Sequence, residues 1–203
     1  DILEDVHRFY SVHGACLDYK GEGLALVGVS GAGKTTLSLG ILLGERARII
    51  SDDWFYVRFQ GGEAVAMSSE KNVYMREMDE DWGTLKSLST WARFDNKKRA
   101  VVNLRNIFSG AKIRDRTTLT NFMFLKRDPK DKRLIRAVGA NEMLSYMVEN
   151  NFFNPHLLVR DGRKQRLRTR FLNNLFKKVN LYVVNSITTP KKTVDLLLKT
   201  IDE

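Results

Sequence analysis

Apolar runs punctuated by glycine divide the first part of the chain into strands and one helix. "VHGACLDYK" and "GLALVGV" read as strands around a turn at "GEG", and "KTTLSLGILLGE" has helical length and stops at Gly44, a C-terminal capping residue. "RARIIS" is a short strand running into Asp52 and Asp53, and "WFYVRF" with "EAVAM" predicts a hairpin turning at Gly61 and Gly62. "MREMDEDWGTLKSL" reads as partly helical, "RAVVNL" and "TLTNFMFLKR" as strands, and "NEMLSYMVEN" as a helix. Leu167, Phe171, Leu172, Leu175 and Phe176 recur at helical spacing, and the strand "NLYVVN" and a helix from Pro190 to Ile201 close the pattern. Hairpin-linked strands mixed with helices predict an α/β fold, a mixed β-sheet core flanked by helices, in preference to a purely parallel doubly wound sheet. With 203 residues and no repeats or low-complexity linkers, one domain over residues 1–203 is expected. The chain opens at Asp1 without an initiator methionine, which leaves room for an upstream N-terminal domain outside this sequence.

Within that frame one chemical motif is complete. Gly28, Gly33, Lys34 and Thr35 satisfy GxxxxGK[ST], the Walker A phosphate loop, in the required order of strand, loop and helix. Gly31 and Gly33 let the backbone turn its N–H groups inward, the helix start adds partial positive charge, and Lys34 reaches the outer phosphates. Gly28, Ser30, Gly31, Ala32, Gly33, Lys34, Thr35 and Thr36 are therefore the expected nucleotide-binding residues, with the Thr35 hydroxyl supplied to Mg²⁺. The expected ligand is a nucleoside triphosphate, ATP.

The next strand delivers two adjacent acids, Asp52 and Asp53, where one would suffice to hold Mg²⁺ opposite Thr35. A second acid can accept the proton of a hydroxyl acceptor, which separates a kinase from a simple hydrolase. Side chains of adjacent residues point to opposite faces of a strand unless the strand ends there, so both acids reach the phosphate only at a strand end. Paired Asp is also common in turns and caps, and the phosphate loop nearby tips the balance toward chemistry.

Charge adds a second theme. The net charge of +10 asks for an anionic partner, and basic residues concentrate in "KRDPKDKRLIR" and in "RDGRKQRLRTRFLNNLFKK". The second segment reads as an amphipathic helix with a basic outer face, either a solvated surface or a dock for an acidic partner. No nucleic-acid motif accompanies it, which disfavours nucleic acid as a partner without closing that option. The single Cys16 reads as a small buried apolar residue with no chemistry. No apolar run approaches the ~20 residues of a membrane-spanning helix and no signal peptide opens the chain, so a cytoplasmic protein with no membrane partner is expected.

The residues that carry these features resemble a family, the HPr kinase/phosphorylase catalytic domain, within the superfamily shared with phosphoenolpyruvate carboxykinase. "VHGACLDYKGEGLALVGVSGAGKTTLSL" followed by "IISDDW" is similar in order and spacing to that family's HG, GxSGxGK[ST] and DD sequence. "KKRAVVNLRNIFSGAKIRDRTTL", with its RD pair Arg114 and Asp115, looks like the stretch after the family's acidic signature element, so the likeness covers residues 12 to 125. Beyond that, only "LLVRDGR" is similar to a late family loop, and Asp161 stands there in place of proline. "SGAGKTTLS" alone is closer to the carboxykinase wording, but those chains are much longer and carry a further substrate domain.

The resemblance implies an ATP- and Mg²⁺-dependent transfer of the γ-phosphoryl group to a hydroxyl, a serine of an HPr-like carrier protein or a small hydroxyl compound. It implies that Thr35 and Asp52 hold Mg²⁺, that Asp53 is the general base, and that His13 lies beside the acid pair and orients it. Asp95 falls where the family has a metal-associated Glu and Lys97 where it has Arg, departures that bear on the metal contact and on substrate choice. It also implies a ring-like homo-oligomer. Arg76 and Lys71 are candidate acceptor-site cations, with exposed salt bridges as the plainer reading. Two other classes stay open: a nucleotide-switched regulatory module that binds nucleic acid or an acidic protein through its basic helices, and a hydrolase in which Asp53 activates water.

Overall fold

The structure, a computed structural model, describes residues 2–75, 93–96, 99–106, 108–154 and 161–203. A short helix α1 (Ile2–Asp5) precedes two long antiparallel strands, β1 (Tyr10–Tyr19) and β2 (Glu22–Gly28). Then come α2 (Lys34–Leu43), β3 (Ala47–Ser51), the hairpin β4 (Trp54–Gln60) and β5 (Glu63–Ser68), and β6 (Asn72–Met75). After β7 (Arg93–Phe94), β8 (Ala100–Asn103) and β9 (Arg116–Lys126), the chain ends with β10 (Ile135–Ala137), α3 (Ala140–Glu149), α4 (Gly162–Phe176), β11 (Asn180–Asn185) and α5 (Pro190–Asp202). The partly helical reading of "MREMDEDWGTLKSL" lies almost wholly outside the described residues, as do Arg76 and Lys97.

The main sheet has eight strands in the order β10-β11-β9-β2-β1-β4-β5, with β3 paired to β1 and a further pairing of β9 with β5. β9 runs parallel to β2 and β11 while the other pairs are antiparallel, so the sheet is mixed, as the hairpin signals predict. A second sheet of three strands, β6-β8-β7, stands beside it. Along β2 the period of two sorts side chains strictly. Leu24 and Leu26 join Leu37, Ile41, Val194 and Leu197 of α2 and α5, while Ala25 and Val27 join Met143, Met147, Phe171 and Leu175 of α3 and α4. Both faces of the central strands are thus buried under helices, which is why "GLALVGV" is continuously apolar instead of alternating. Cys16 is fully buried and burial pushes its thiol pKa up, in keeping with an inert packing residue.

The register of β1 positions the chemistry. β2 and β3 pair antiparallel with the two edges of β1, so they run in the same direction and end at the same end of the sheet. Cys16 lies opposite Ala25 on one side and Ser51 on the other. Two residues on, the glycine loop after β2 and the acid pair after β3 emerge level with each other, flanking His13 and Gly14.

The basic helix departs from its expected form. Lys164 and Arg168 point inward and are fully buried, where they pair with Glu4 of α1. Arg168 also donates to Ser11 O (3.0 Å) and Phe153 O (2.9 Å). Only part of the charge is outward-facing, including Arg166 and Arg170. The apolar spacing correctly gave the inner stripe, but a buried cation needs its counter-ion, and Glu4 lies far away in sequence. Asp161 caps this helix by accepting the Lys164 N–H at 2.7 Å.

Candidate active site

The loop from Gly28 to Thr36 joins β2 to α2 with Gly31 at φ 82° and Gly33 at φ 92°, conformations that a side chain resists. Gly33 is the N-cap of α2, no side chain caps that helix, and its first turn holds no acid. Its leading N–H groups and its dipole are therefore left for an anion. Ala32 N–H closes a turn onto Val29 O (3.1 Å), and Ser186 Oγ, at the end of β11, holds Ala32 O at 2.9 Å. Lys34 Nζ donates to Gly28 O (2.7 Å) and lies 3.3 Å from Val29 O, tucked along the loop it follows. Burial lowers the Lys34 pKa while the charges of Asp53 and Asp52 raise it, so the ammonium sits within the field of both acids.

The acid pair sits on a tight turn. Trp54 N–H donates to Asp52 O at 2.7 Å across Asp53, whose φ is 64°, the positive value of a γ-turn that non-glycine residues seldom adopt. Gly14 N–H holds Asp53 O at 2.9 Å from β1. The turn breaks the strand alternation and aims the two acids at different partners, a backbone cost of the kind that concentrates at functional sites.

Asp52 is 1% exposed and faces α2. Thr35 Oγ1 donates to its Oδ2 at 3.1 Å, and Ser38 Oγ lies 3.5 Å from its Oδ1. No ion pair reaches Asp52 among the described residues, and burial, aided by the neighbouring charges of Asp53 and Glu70, pushes its pKa up to about 7. A hydroxyl and a carboxylate in contact are hard oxygen donors that suit Mg²⁺. Among the described residues no group of three or more His, Cys, Asp or Glu side chains is placed to hold a metal.

Asp53 turns the other way. Its Oδ1 lies 3.2 Å from His13 Nε2, and that hydrogen bond holds its carboxyl below the usual carboxylate range against the opposing effect of burial. His13 stacks on Trp54 at 4.8 Å between ring centroids and on Phe152 at 5.5 Å, so its ring is fixed between two aromatic faces.

The other expected site residues are placed differently. Asp95 pairs with Arg99, Nε to Oδ2 at 2.8 Å. Lys71 donates to Asp115 Oδ1 (2.9 Å), and Arg114 reaches the buried Asp18 (2.9 Å), so the RD pair supports the scaffold. Glu70, Tyr74 and Arg99 carry no motif and were not anticipated, yet they surround the acid turn. Ser51 Oγ, one residue before Asp52, donates to Glu70 O (3.2 Å) and accepts from Glu70 N–H (3.4 Å), and Ser69 Oγ donates to Trp54 O at 2.5 Å. Only the folding back of β6 onto the end of β3 brings them there.

No protein-family model matches the sequence, and no curated protein matches it. Among solved structures the chain is similar to the Hpr(Ser) kinase/phosphatase from Coxiella burnetii, at 12% identity and a TM-score of 0.52, covering 95% of this chain and 87% of that one. At that identity the likeness establishes architecture and leaves activity to the residues. No described helix is long and apolar enough to cross a membrane. The fold is thus a large mixed sheet flanked by helices, α/β in class, with the architecture of an HPr(Ser) kinase/phosphatase.

Proposed function

We propose that this chain is an ATP- and Mg²⁺-dependent phosphotransferase that moves the γ-phosphoryl group to a hydroxyl. The observation that carries the reading is the divergent acid pair, one carboxylate buried against the Thr35 hydroxyl and the next held by a histidine. Thr35 and Asp52 would hold Mg²⁺, which supplies charge neutralisation at the phosphates. The loop N–H groups and the start of α2 cradle phosphate oxygens, and Lys34 can leave the Gly28 carbonyl to meet them. Asp53, ionised at neutral pH, accepts the acceptor hydroxyl proton on its carboxylate, and His13, clamped by Trp54 and Phe152, orients that carboxylate. The acceptor is a protein serine or a small hydroxyl compound, and an HPr-like carrier comes into view through the structural neighbour's name. One domain, a cytoplasmic location and a homo-oligomer belong to the same reading.

Incubation with labelled ATP, Mg²⁺ and an extract of the source cells tests it. Label is expected to enter an acceptor, and Lys34→Ala is expected to abolish transfer and nucleotide binding by calorimetry while the fold survives. ATP loss that no acceptor accelerates would replace the kinase with a hydrolase. Salt-sensitive nucleic-acid binding without turnover would favour a regulatory module.

A further inference from the structure

The small sheet β6-β8-β7 stands near the acid turn and places Tyr74 there. Its hydroxyl donates to Glu70 Oε2 at 2.8 Å, the Glu70 N–H in turn donates to Ser51 Oγ (3.4 Å) next to Asp52, and the Tyr74 ring lies 4.6 Å beneath the Arg99 guanidinium. Arg99 is fixed from the other side by Asp95, which accepts its backbone N–H (2.9 Å) and its Nε (2.8 Å), while Asp95 N–H donates to Arg99 O (3.0 Å). The guanidinium is therefore held flat on an aromatic ring and by one edge. Its two terminal nitrogens have no partner among the described residues, and the side chain is 24% exposed. An arginine prepared this way has lost most of its rotamer freedom before any ligand arrives, and its open fork matches a carboxylate or phosphate oxygen pair.

Its position decides between those ligands. Asp52 faces Thr35 and Ser38 and Lys34 lies along the glycine loop, so phosphate and metal are served from α2. Arg99 approaches from β8, and its charge falls on Asp53, the acid turned toward His13. That is the acceptor side. Asp53 and Glu70 together make this side repel anions, so an acidic acceptor enters only if a cation meets it. Lys71, another cation among the described residues, is occupied by Asp115 and the Arg114 carbonyl.

Resting on the phosphotransferase reading, we propose that Arg99 is the specificity-determining residue for the acceptor, binding a carboxylate that neighbours the hydroxyl to be phosphorylated. The substrate class is then a hydroxy acid or a serine flanked by an acidic side chain, which share that chemistry. Asp95 is the positioning residue for Arg99, and Tyr74 is the platform on which it lies.

The test uses labelled ATP, Mg²⁺ and two acceptor panels. One holds hydroxy acids and their neutral alcohols, such as glycerate with glycerol and serine with serinol. The other holds serine peptides with Glu, Gln or Lys beside the serine. The wild-type protein should label acidic acceptors at least about tenfold better than their neutral partners, the discrimination expected of a satisfied carboxylate–guanidinium pair. Arg99→Met should lose that preference through a raised acceptor KM, with nucleotide affinity by calorimetry unchanged, and Arg99→Lys should fall between. Asp95→Asn should blunt the preference and keep the Arg99 charge. Thermal unfolding separates folding from function, because a surface change of this kind should move Tm by less than about 4 °C. Which panel is labelled identifies small molecule or peptide. A preference that survives Arg99→Met, equal labelling of acidic and neutral acceptors, or an equal drop in kcat for every acceptor overturns the inference and leaves the kinase standing. No label in any acceptor overturns the kinase reading itself, and the inference falls with it.

Discussion

Two carboxylates in this molecule are buried to almost the same degree and live in opposite electrostatic worlds. Glu4 is 2% exposed and lies between Lys164 and Arg168, whose charges and hydrogen bonds hold its pKa below the ordinary value despite the penalty of burial. Asp52 is 1% exposed and has the Thr35 and Ser38 hydroxyls for company, and burial pushes its pKa up to about 7. A buried carboxylate with its cations built in is a clasp between α1 and α4. A buried carboxylate supplied with hydroxyl donors and, among the described residues, no ion pair is suited to a charge from outside, which is the physical reason for proposing Asp52 as a metal ligand.

The contrast can be broken in four places, taken from the largest effect down. Asp53→Asn keeps the shape and the contact with His13 but cannot accept a proton, so transfer should fall by roughly 10²- to 10⁴-fold with Mg²⁺–nucleotide binding retained, read by single-turnover kinetics and calorimetry. If Asp52→Asn gives the same defect and excess Mg²⁺ rescues both, the pair is a metal clamp and the base lies elsewhere. Glu4→Gln should leave Arg168 buried without its counter-ion and Lys164 with Asp5, and cost about 3–5 kcal/mol, a fall in Tm of roughly 10 °C by thermal unfolding.

Asp52→Asn should do the reverse to stability. A carboxyl whose folded pKa is raised keeps its proton where the unfolded chain has lost it, so wild-type stability without Mg²⁺ falls as pH rises from the ordinary carboxylate range through about 7. The Asn variant escapes that loss. It should gain on the order of 2–4 kcal/mol over wild type at pH 8 without metal, with the difference vanishing toward pH 4 and shrinking when Mg²⁺ and nucleotide are added. Equal unfolding curves at pH 8 would show that Asp52 carries no such strain. Last, the double reversal of Arg166 and Arg170 to Glu on the outer face of α4 should change stability by less than about 0.5 kcal/mol, because neither residue belongs to the buried clasp. A larger loss would extend the clasp to the helix surface.

Most elements were legible because their signals are local. The glycine-bounded run before Gly28, the hairpin turning at Gly61 and Gly62, the α4 stripe of Phe171, Leu172, Leu175 and Phe176, and the helix opening at Pro190 each follow from neighbours within a few residues. The short β6, β7 and β10 were missed because strands of two to four residues carry too little periodicity to register. The inward turn of Lys164 and Arg168 was missed for a different reason: a helical wheel assigns charge to solvent, and only a distant acid reverses that assignment.

The sequence by itself determined the order of the longer strands and helices, the glycine loop with Lys34 and Thr35, and the adjacency of Asp52 and Asp53, because each is written in contiguous residues. Tertiary structure alone decided which way each acid faces. That choice hangs on the positive φ of Asp53, on β1 setting His13 beside the turn, and on β6 returning Glu70 and Tyr74 to the end of β3. Those contacts join residues up to forty positions apart. Their energies depend on burial and register, which a linear pattern encodes only through the whole fold.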